Sequence, residues 1–194
     1  MTRDRLRLLA AFEAAVERHV RAYFAGHECT SHVWTPGPMR DLLPAFRVLE
    51  IAPGPRTPHW TYVSAGAAVL SRPDAAALEF VLIAPESNPR HVEIVTMTAH
   101  YNHGIALDEG HTVPIGDLWL PGSRCDHVLL RRPLAFGERF GHIDDPAGAA
   151  RILWLVPITA AERDFKAANG LAALASRLDE AAVEYWRPDR ASIV

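Results

Sequence analysis

The stretch ILWLVPITAAERDFKAANGLAALASRL, residues 152–178, predicts a buried strand followed by two helices. Its first seven residues are all apolar, which is typical of a strand with both faces covered. Thr159 and Glu162 have the spacing of a capping box, in which each side chain bonds to the backbone N–H group of the other, so a helix begins there. Gly170 interrupts this helix, and the leucines that follow it form the apolar stripe of a second helix, which ends near Ala182.

Earlier in the chain, three runs rich in Val, Ile and aromatic residues predict a β-meander. They are FRVLEIA (46–52), WTYVSAG (60–66) and LEFVLIA (78–84), and segments rich in proline, glycine or polar residues separate them. LEFVLIA is apolar at nearly every position, so this run and residues 152–158 are predicted to be the central strands. The proline-rich segment at 30–44 predicts a loop.

Residues 4–25 predict an amphipathic N-terminal helix, because apolar residues recur there at steps of three and four. These residues are Leu9, Phe12, Val16, Val20 and Tyr23. We expect this face to pack on the protein's own core, with a partner-binding or membrane-surface helix as the alternative. A further helix is expected at 91–106 and a strand at 127–131. The predicted fold is therefore α+β (mixed α/β), a single domain over 1–194 with a mostly antiparallel or mixed central sheet flanked by helices.

Composition excludes several classes of protein. The chain has 194 residues, of which 49% are hydrophobic and 22% charged, as in ordinary globular domains. A formal net charge of −3 and the lack of a basic run predict that nucleic acid is not a partner. Charged residues interrupt the N-terminal segment, so we expect no signal peptide, no membrane span and a cytoplasmic protein. Cys29 and Cys125 lack the CxxC spacing and fit a reducing compartment.

The segment HYNHGIALDEGH, residues 100–111, raises the possibility of a metal site. His100 and His103 share one face of the predicted helix, and His111 or Glu109 would supply a third ligand from the following loop. The segment lacks the glutamate of the HExxH motif, which activates a zinc-bound water. We therefore predict no metal and no cofactor, with a metal-dependent hydrolase using these three histidines as the alternative hypothesis.

Sequence marks of other catalytic classes are missing. The chain has no GxSxG, GxxxxGK[ST] or GxGxxG motif, which are typical of acyl transfer, nucleotide hydrolysis and dinucleotide binding. Cys125, Asp126 and His127 are adjacent, and neighbouring side chains on an extended strand point to opposite faces. Asp144 and Asp145 precede a proline, as is common in turns. We therefore predict no catalytic residues and a protein that is not an enzyme.

Several segments, taken in order, resemble the suppressor of fused domain family in its compact bacterial form. They are WTYVSAGAAV, LEFVLIAP, AHYNHGIALDEGHTVPIG, HVLLRRP, ILWLVPITAAERDFKAANGLAALASRLDE and DRAS. The resemblance covers about residues 46–192 and leaves the N-terminal helix outside it. It implies a mixed α/β domain that binds another protein, with no metal role for the segment at 100–111. Animal members restrain a transcription factor of the Hedgehog pathway, and bacterial members are similar to immunity proteins that neutralise a cognate toxin.

The resemblance favours a non-enzymatic protein-binding module, with a toxin domain as the expected partner. If that toxin is a nuclease, acidic side chains would complement its basic surface. The candidate partner-binding residues are Glu79, Glu86, Glu93, Asp108, Glu109 and Asp117. Trp119 lies between proline and glycine residues and is predicted to be an exposed aromatic anchor. A structural subunit that associates through the helix at 4–25 is a third hypothesis, and the oligomeric state stays open.

Overall fold

The computed structural model describes residues 3–72 and 75–194, and for residues 3–6, 8 and 9 it describes the backbone alone. The helices are α1 (Arg3–Tyr23), α2 (Met39–Leu42), α3 (Pro89–Gly104), α4 (Glu138–Gly141), α5 (Ala160–Asn169) and α6 (Leu171–Glu180). The strands are β1 (Cys29–His32), β2 (Arg47–Ile51), β3 (Trp60–Ala65), β4 (Leu78–Ala84), β5 (Thr112–Pro114), β6 (Cys125–Arg131), β7 (His142–Asp145) and β8 (Gly148–Thr159). Short 3-10 turns lie at Ala67–Leu70 and Leu134–Phe136.

The eight strands of the described residues form one mixed sheet in the order β1-β2-β3-β4-β8-β6-β5, and β7 pairs with the start of β8. Strands β1 to β4 run antiparallel to one another, so the predicted meander is confirmed. β4 and β8 pair in parallel at the centre, which confirms the two predicted central strands and explains their continuous apolar sequence. The sheet is flanked by helices, and the predicted fold class is confirmed.

Alternation along β4 divides the core between the two faces of the sheet. Phe80 and Leu82 lie in the cluster that packs beneath α3, together with Ile94 and Val95. Val81 and Ile83 point to the opposite face, where α1 and α6 supply Val16, Val20, Leu174 and Leu178. Each face of the sheet is thus closed by its own helical layer.

Helix α1 packs on the protein's own sheet. Val16 and Val20 are fully buried, and the Tyr23 hydroxyl donates to the carbonyl of Phe136 across 2.6 Å. The side chain of Leu9, which the sequence places on the same face, lies outside the described residues. Within the described residues, no helix is long and apolar enough to span a membrane.

Local sequence signals determine where α3 and α5 begin. The Asn88 side chain accepts from the Arg90 N–H, and Pro89 occupies the first turn of α3, where its missing N–H costs nothing. The predicted capping box is confirmed, since the Glu162 N–H donates to Thr159 Oγ1 and the Thr159 N–H donates to Glu162 Oε2.

The loop prediction for residues 30–44 is wrong in part. Thr30 to His32 belong to edge strand β1, where Thr30 lies opposite Glu50 of β2, and α2 occupies Met39–Leu42. The physical reason is that a short edge strand with a polar, partly exposed sequence has no apolar alternation of its own. Its pairing is determined by the neighbouring strand β2.

Candidate functional site

The three candidate metal ligands do not form one site. His100 and His103 lie near the end of α3, and the exposed His111 lies in the turn before β5, where its Nδ1 accepts from the Asp108 N–H across 2.7 Å. Residues 100–111 are all described, and within the described part of the chain no group of three or more His, Cys, Asp or Glu side chains is placed to hold a metal ion. The geometry therefore gives the metal hypothesis no ligand set.

Two of the predicted acidic contacts are engaged within the protein. Arg151 donates to Asp108 Oδ1 across 2.7 Å, and Arg132 donates to Glu109 Oε1 across 3.2 Å. Burial opposes ionisation of Asp108, but the Glu109 N–H and the Arg151 guanidinium together hold the pKa of this carboxyl below its usual value. Both carboxylates thus already pair with an arginine of the protein itself.

The prediction that Glu79 contacts a partner is wrong, because its side chain is fully buried. The carboxylate accepts the Ser64 hydroxyl and the N–H groups of Gly66, Ala67 and Ala68, and so caps the 3-10 turn after β3. Burial raises the pKa of Glu79 to about 7, and these hydrogen bonds oppose the shift. Its place in an all-buried strand was the available sequence signal for this internal role.

The prediction that Trp119 is an exposed anchor is also wrong. Its side chain is fully buried, and its Nε1–H donates to Nδ1 of the buried His91 across 3.2 Å. The backbone N–H of Trp119 donates to the carbonyl of Cys125 across 2.8 Å, which ties the loop to β6. Proline and glycine neighbours indicate a loop, but they do not show whether it folds back onto a helix. The role of His91 was not found from the sequence.

A surface groove of about 760 Å³ lies between α3 and the loop at 115–121, and we call it the α3 groove. On the helix side it is lined by Asn88, Arg90, Glu93 and Met97. Arg90 holds the two sides together, since its Nη2 donates to the carbonyls of Ile115 and Asp117 across 2.6 and 3.1 Å. Its Nη1 donates to Glu93 Oε2 across 2.6 Å. Because Arg90 has to reach two carbonyls of a distant loop, this arrangement is invisible in the local sequence.

The predicted acidic residues Glu93 and Asp117 both line the α3 groove, so the structure brings these two together. Glu86 is exposed and lies close to one end of the groove, where the side-chain amide of Asn88 donates to Glu86 Oε1 across 3.1 Å. Leu118, which also lines the groove, is 46% exposed. The groove therefore combines acidic and apolar side chains on one surface.

A second hollow of about 270 Å³ continues the α3 groove along the helix. It is bounded by the segment from Trp34 to Met39, and it shares Glu93 and Met97 with the groove. A strip of α3 is thus open to solvent between two loop walls. A groove between a helix and two loops is a shape that accepts a peptide segment.

Comparison with known proteins adds the following matches. The sequence model described as suppressor of fused protein (SUFU) matches residues 43–191. The crystal structure of a SUFU homologue from Neisseria gonorrhoeae is similar with a TM-score of 0.84 and 29% identity, covering 95% of this chain and 98% of that one. A comparison with curated protein sequences gives no match.

Two more distant structures share the fold. A chain of the Sufu–Fu complex has a TM-score of 0.66 and 14% identity, covering 94% of this chain and 91% of that one. Drosophila Suppressor of Fused has a TM-score of 0.59 and 13% identity, and the match covers 94% of this chain but 51% of the Drosophila chain. At these identities the likeness concerns the fold alone.

Proposed function

Because the chain belongs to the suppressor of fused protein family, we propose that it is a non-enzymatic protein-binding module of the immunity type. The observation that supports protein binding is the family match over residues 43–191, together with a neighbour of the same fold that is solved as a Sufu–Fu complex. The module binds a toxin domain in the cytoplasm and blocks it. Its partner is a protein, and neither nucleic acid nor a membrane is required.

The α3 groove is the surface that supports a binding role best. Glu93 and Asp117 line it beside the exposed Leu118, so acidic and apolar contacts are available together. Interfaces commonly combine an apolar centre with a charged rim that fixes the orientation of the partner. A toxin with a basic surface, such as a nuclease, fits this charge.

The environment of Cys125 supports a non-enzymatic role. Cys125 is fully buried, and burial raises the pKa of its thiol, which disfavours the reactive thiolate. The Nδ1 of His127 lies 2.8 Å from Asp126 Oδ1, and Arg163 Nη1 lies 3.0 Å from His127 Nε2. Both ring nitrogens are thus engaged, and His127 has no free nitrogen to act as a base toward Cys125.

The experiment that tests the proposal is capture of the tagged protein from its native host at physiological salt, followed by mass spectrometry. Recovery of one polypeptide with a toxin domain at near-equal stoichiometry, and loss of that toxin's activity on mixing the purified proteins, is the expected result. Capture of no partner across growth conditions, with the candidate toxin expressed, would overturn the immunity role. Toxin binding by the charge-reversal variant Glu93→Lys/Asp117→Lys is compared with toxin binding by Glu138→Lys/Asp144→Lys, which alters exposed carboxylates outside the groove.

A further inference from the structure

We infer that the α3 groove receives a basic amphipathic segment of a protein partner, with an apolar side chain against Leu118 and Met97 and a lysine or arginine beside Glu93 and Asp117. This inference rests on the proposed protein-binding function and names the chemistry of the segment that is bound. Three features of the groove support it: its apolar side chains, its excess of one negative charge over Arg90, and its length.

The apolar part of the groove lies along one side of the 115–121 loop. Leu118 is 46% exposed and lines the groove together with Leu120 and Met97 of α3. The fully buried Trp119 fixes the loop from below, through its hydrogen bond to His91. Leu118 is thus held at the surface by a rigid attachment, and a partner's aliphatic side chain would remove it from water.

The charge of the groove selects the sign of the partner. Glu93 and Asp117 face a single cation, Arg90, among the lining residues. The two Nη atoms of Arg90 already donate to Glu93 Oε2 and to the carbonyls of Ile115 and Asp117. Asp117 Oδ1 accepts the Leu118 N–H across 2.7 Å. Within the described residues, Glu93 Oε1 and Asp117 Oδ2 accept no hydrogen bond, and they attract a cationic side chain while repelling an acidic one.

The length of the open strip indicates that a segment of the partner binds there, rather than a single side chain. The groove and the second hollow together follow α3 from Arg90 to His100, a distance of about 15 Å at the rise of an α-helix. Trp34 and Pro36 form the far wall, so the apolar lining continues past Met97. A helix of about three turns, with lysines on one face and leucines on the other, matches this length and chemistry.

The test uses such a peptide as the probe. The full-length protein labelled with 15N is titrated with a helical peptide of about three turns made of lysine and leucine, and separately with its glutamate–leucine counterpart. The expected result is a saturable shift of the amide signals of residues 90–97 and 115–121 and of the Trp119 indole signal, with the lysine peptide alone. Shifts centred elsewhere on the protein, or equal shifts with the glutamate peptide, overturn the inference.

Matched variants separate the groove from general acidity. Glu93→Gln/Asp117→Asn is expected to weaken binding of the lysine peptide about tenfold. Glu138→Gln/Asp144→Asn removes the same two carboxylate types from exposed positions outside the groove and is expected to bind as the unaltered protein does. The unchanged spectrum of each variant away from the substitutions verifies its fold. Equal weakening by both double variants assigns the binding to net charge and overturns the inference.

Failure of the inference and failure of the proposed function are distinguishable. If the peptide maps to the groove but the host yields no protein partner, the immunity role fails and the groove chemistry stands. If a toxin is captured and its binding survives Glu93→Gln/Asp117→Asn, the immunity role stands and the groove is not the binding site.

Discussion

The indole Nε1 of Trp119 lies 3.2 Å from Nδ1 of His91, and both side chains are fully buried. Because an indole N–H is only a donor, Nδ1 of His91 has to accept, and the imidazole has to be neutral. Burial, with a smaller contribution from the charge of Arg90, lowers the pKa of His91 to about 4. The wall of the α3 groove therefore depends on an uncharged histidine beneath it.

The first prediction concerns the pH dependence that His91 imposes on stability. The pKa of this histidine is 6.5 in the unfolded chain and about 4 in the native protein. Its contribution to the free energy of unfolding is therefore complete above pH 6.5 and decreases as pH falls to about 4, because the unfolded chain binds the proton more readily. The decrease in the free energy of unfolding amounts to at most about 3 kcal/mol. Urea unfolding of the protein and of His91→Gln across this range measures it. Parallel pH profiles of the two proteins would contradict the prediction.

The second prediction concerns Glu79, whose effect has the opposite sign. Burial raises its pKa from 4.5 to about 7, so the native carboxyl holds its proton more tightly than the unfolded one. Its contribution to stability is complete below pH 4.5 and is lost as pH rises to about 7. Glu79→Gln is expected to gain stability relative to the unaltered protein as pH rises from 4.5 to about 7, because an amide does not ionise in this range. The exposed control Glu138→Gln should follow the unaltered profile.

Features with a local cause could be predicted from the sequence. The capping box of Thr159 and Glu162 depends on residues three positions apart, and the buried pair β4 and β8 follows from continuous apolar runs. The meander at 46–84 could likewise be predicted, because each of its strands pairs with the next one along the chain. Local spacing determines these elements before any long-range packing is considered.

Features that depend on distant partners could not be predicted. The burial of Glu79 could be inferred from its apolar strand, but its hydrogen-bond partners, the N–H groups of Gly66 to Ala68, could not. The sequence predicts that Trp119 lies in a loop, and only the folded chain brings it to His91, 28 positions earlier, which accepts its indole N–H. The α3 groove itself joins α3 to a loop beyond β5. Of the residues that line it, Glu93, Asp117 and Trp119 were identified from the sequence, but only the folded chain shows that they lie together.

The third prediction concerns metal content. His103 is exposed on α3 and no three-residue ligand group includes it within the described part of the chain, so His103→Ala is expected to leave the Tm unchanged. Protein purified without a histidine tag should contain well under one zinc per chain and should keep its Tm after dialysis against EDTA. Stoichiometric zinc that is lost in His103→Ala would instead establish the metal-dependent alternative.

The last prediction concerns the buried ion pair between Glu162 of α5 and Arg190 of the C-terminal segment. Glu162 is fully buried, and each of its carboxylate oxygens accepts an Nη atom of Arg190 across 2.6 Å. Arg190 also donates to the carbonyl of Pro157 across 2.8 Å. Arg190→Ala leaves the carboxylate without its counter-charge, and the free energy of unfolding should decrease by about 3–5 kcal/mol. Urea unfolding at neutral pH measures this loss.

Two controls separate an unpaired buried charge from a general effect of removing arginine. Arg187 pairs with Glu184 and Asp189 at the surface and is 52% exposed, so Arg187→Ala should change stability by less than about 1 kcal/mol. The double variant Glu162→Gln/Arg190→Met leaves no lone charge and should recover part of the loss. If Arg190→Ala costs no more than Arg187→Ala, the ion pair does not hold the C-terminal segment, and the hydrogen bond from the Ile193 N–H to Glu162 becomes the contact to test next.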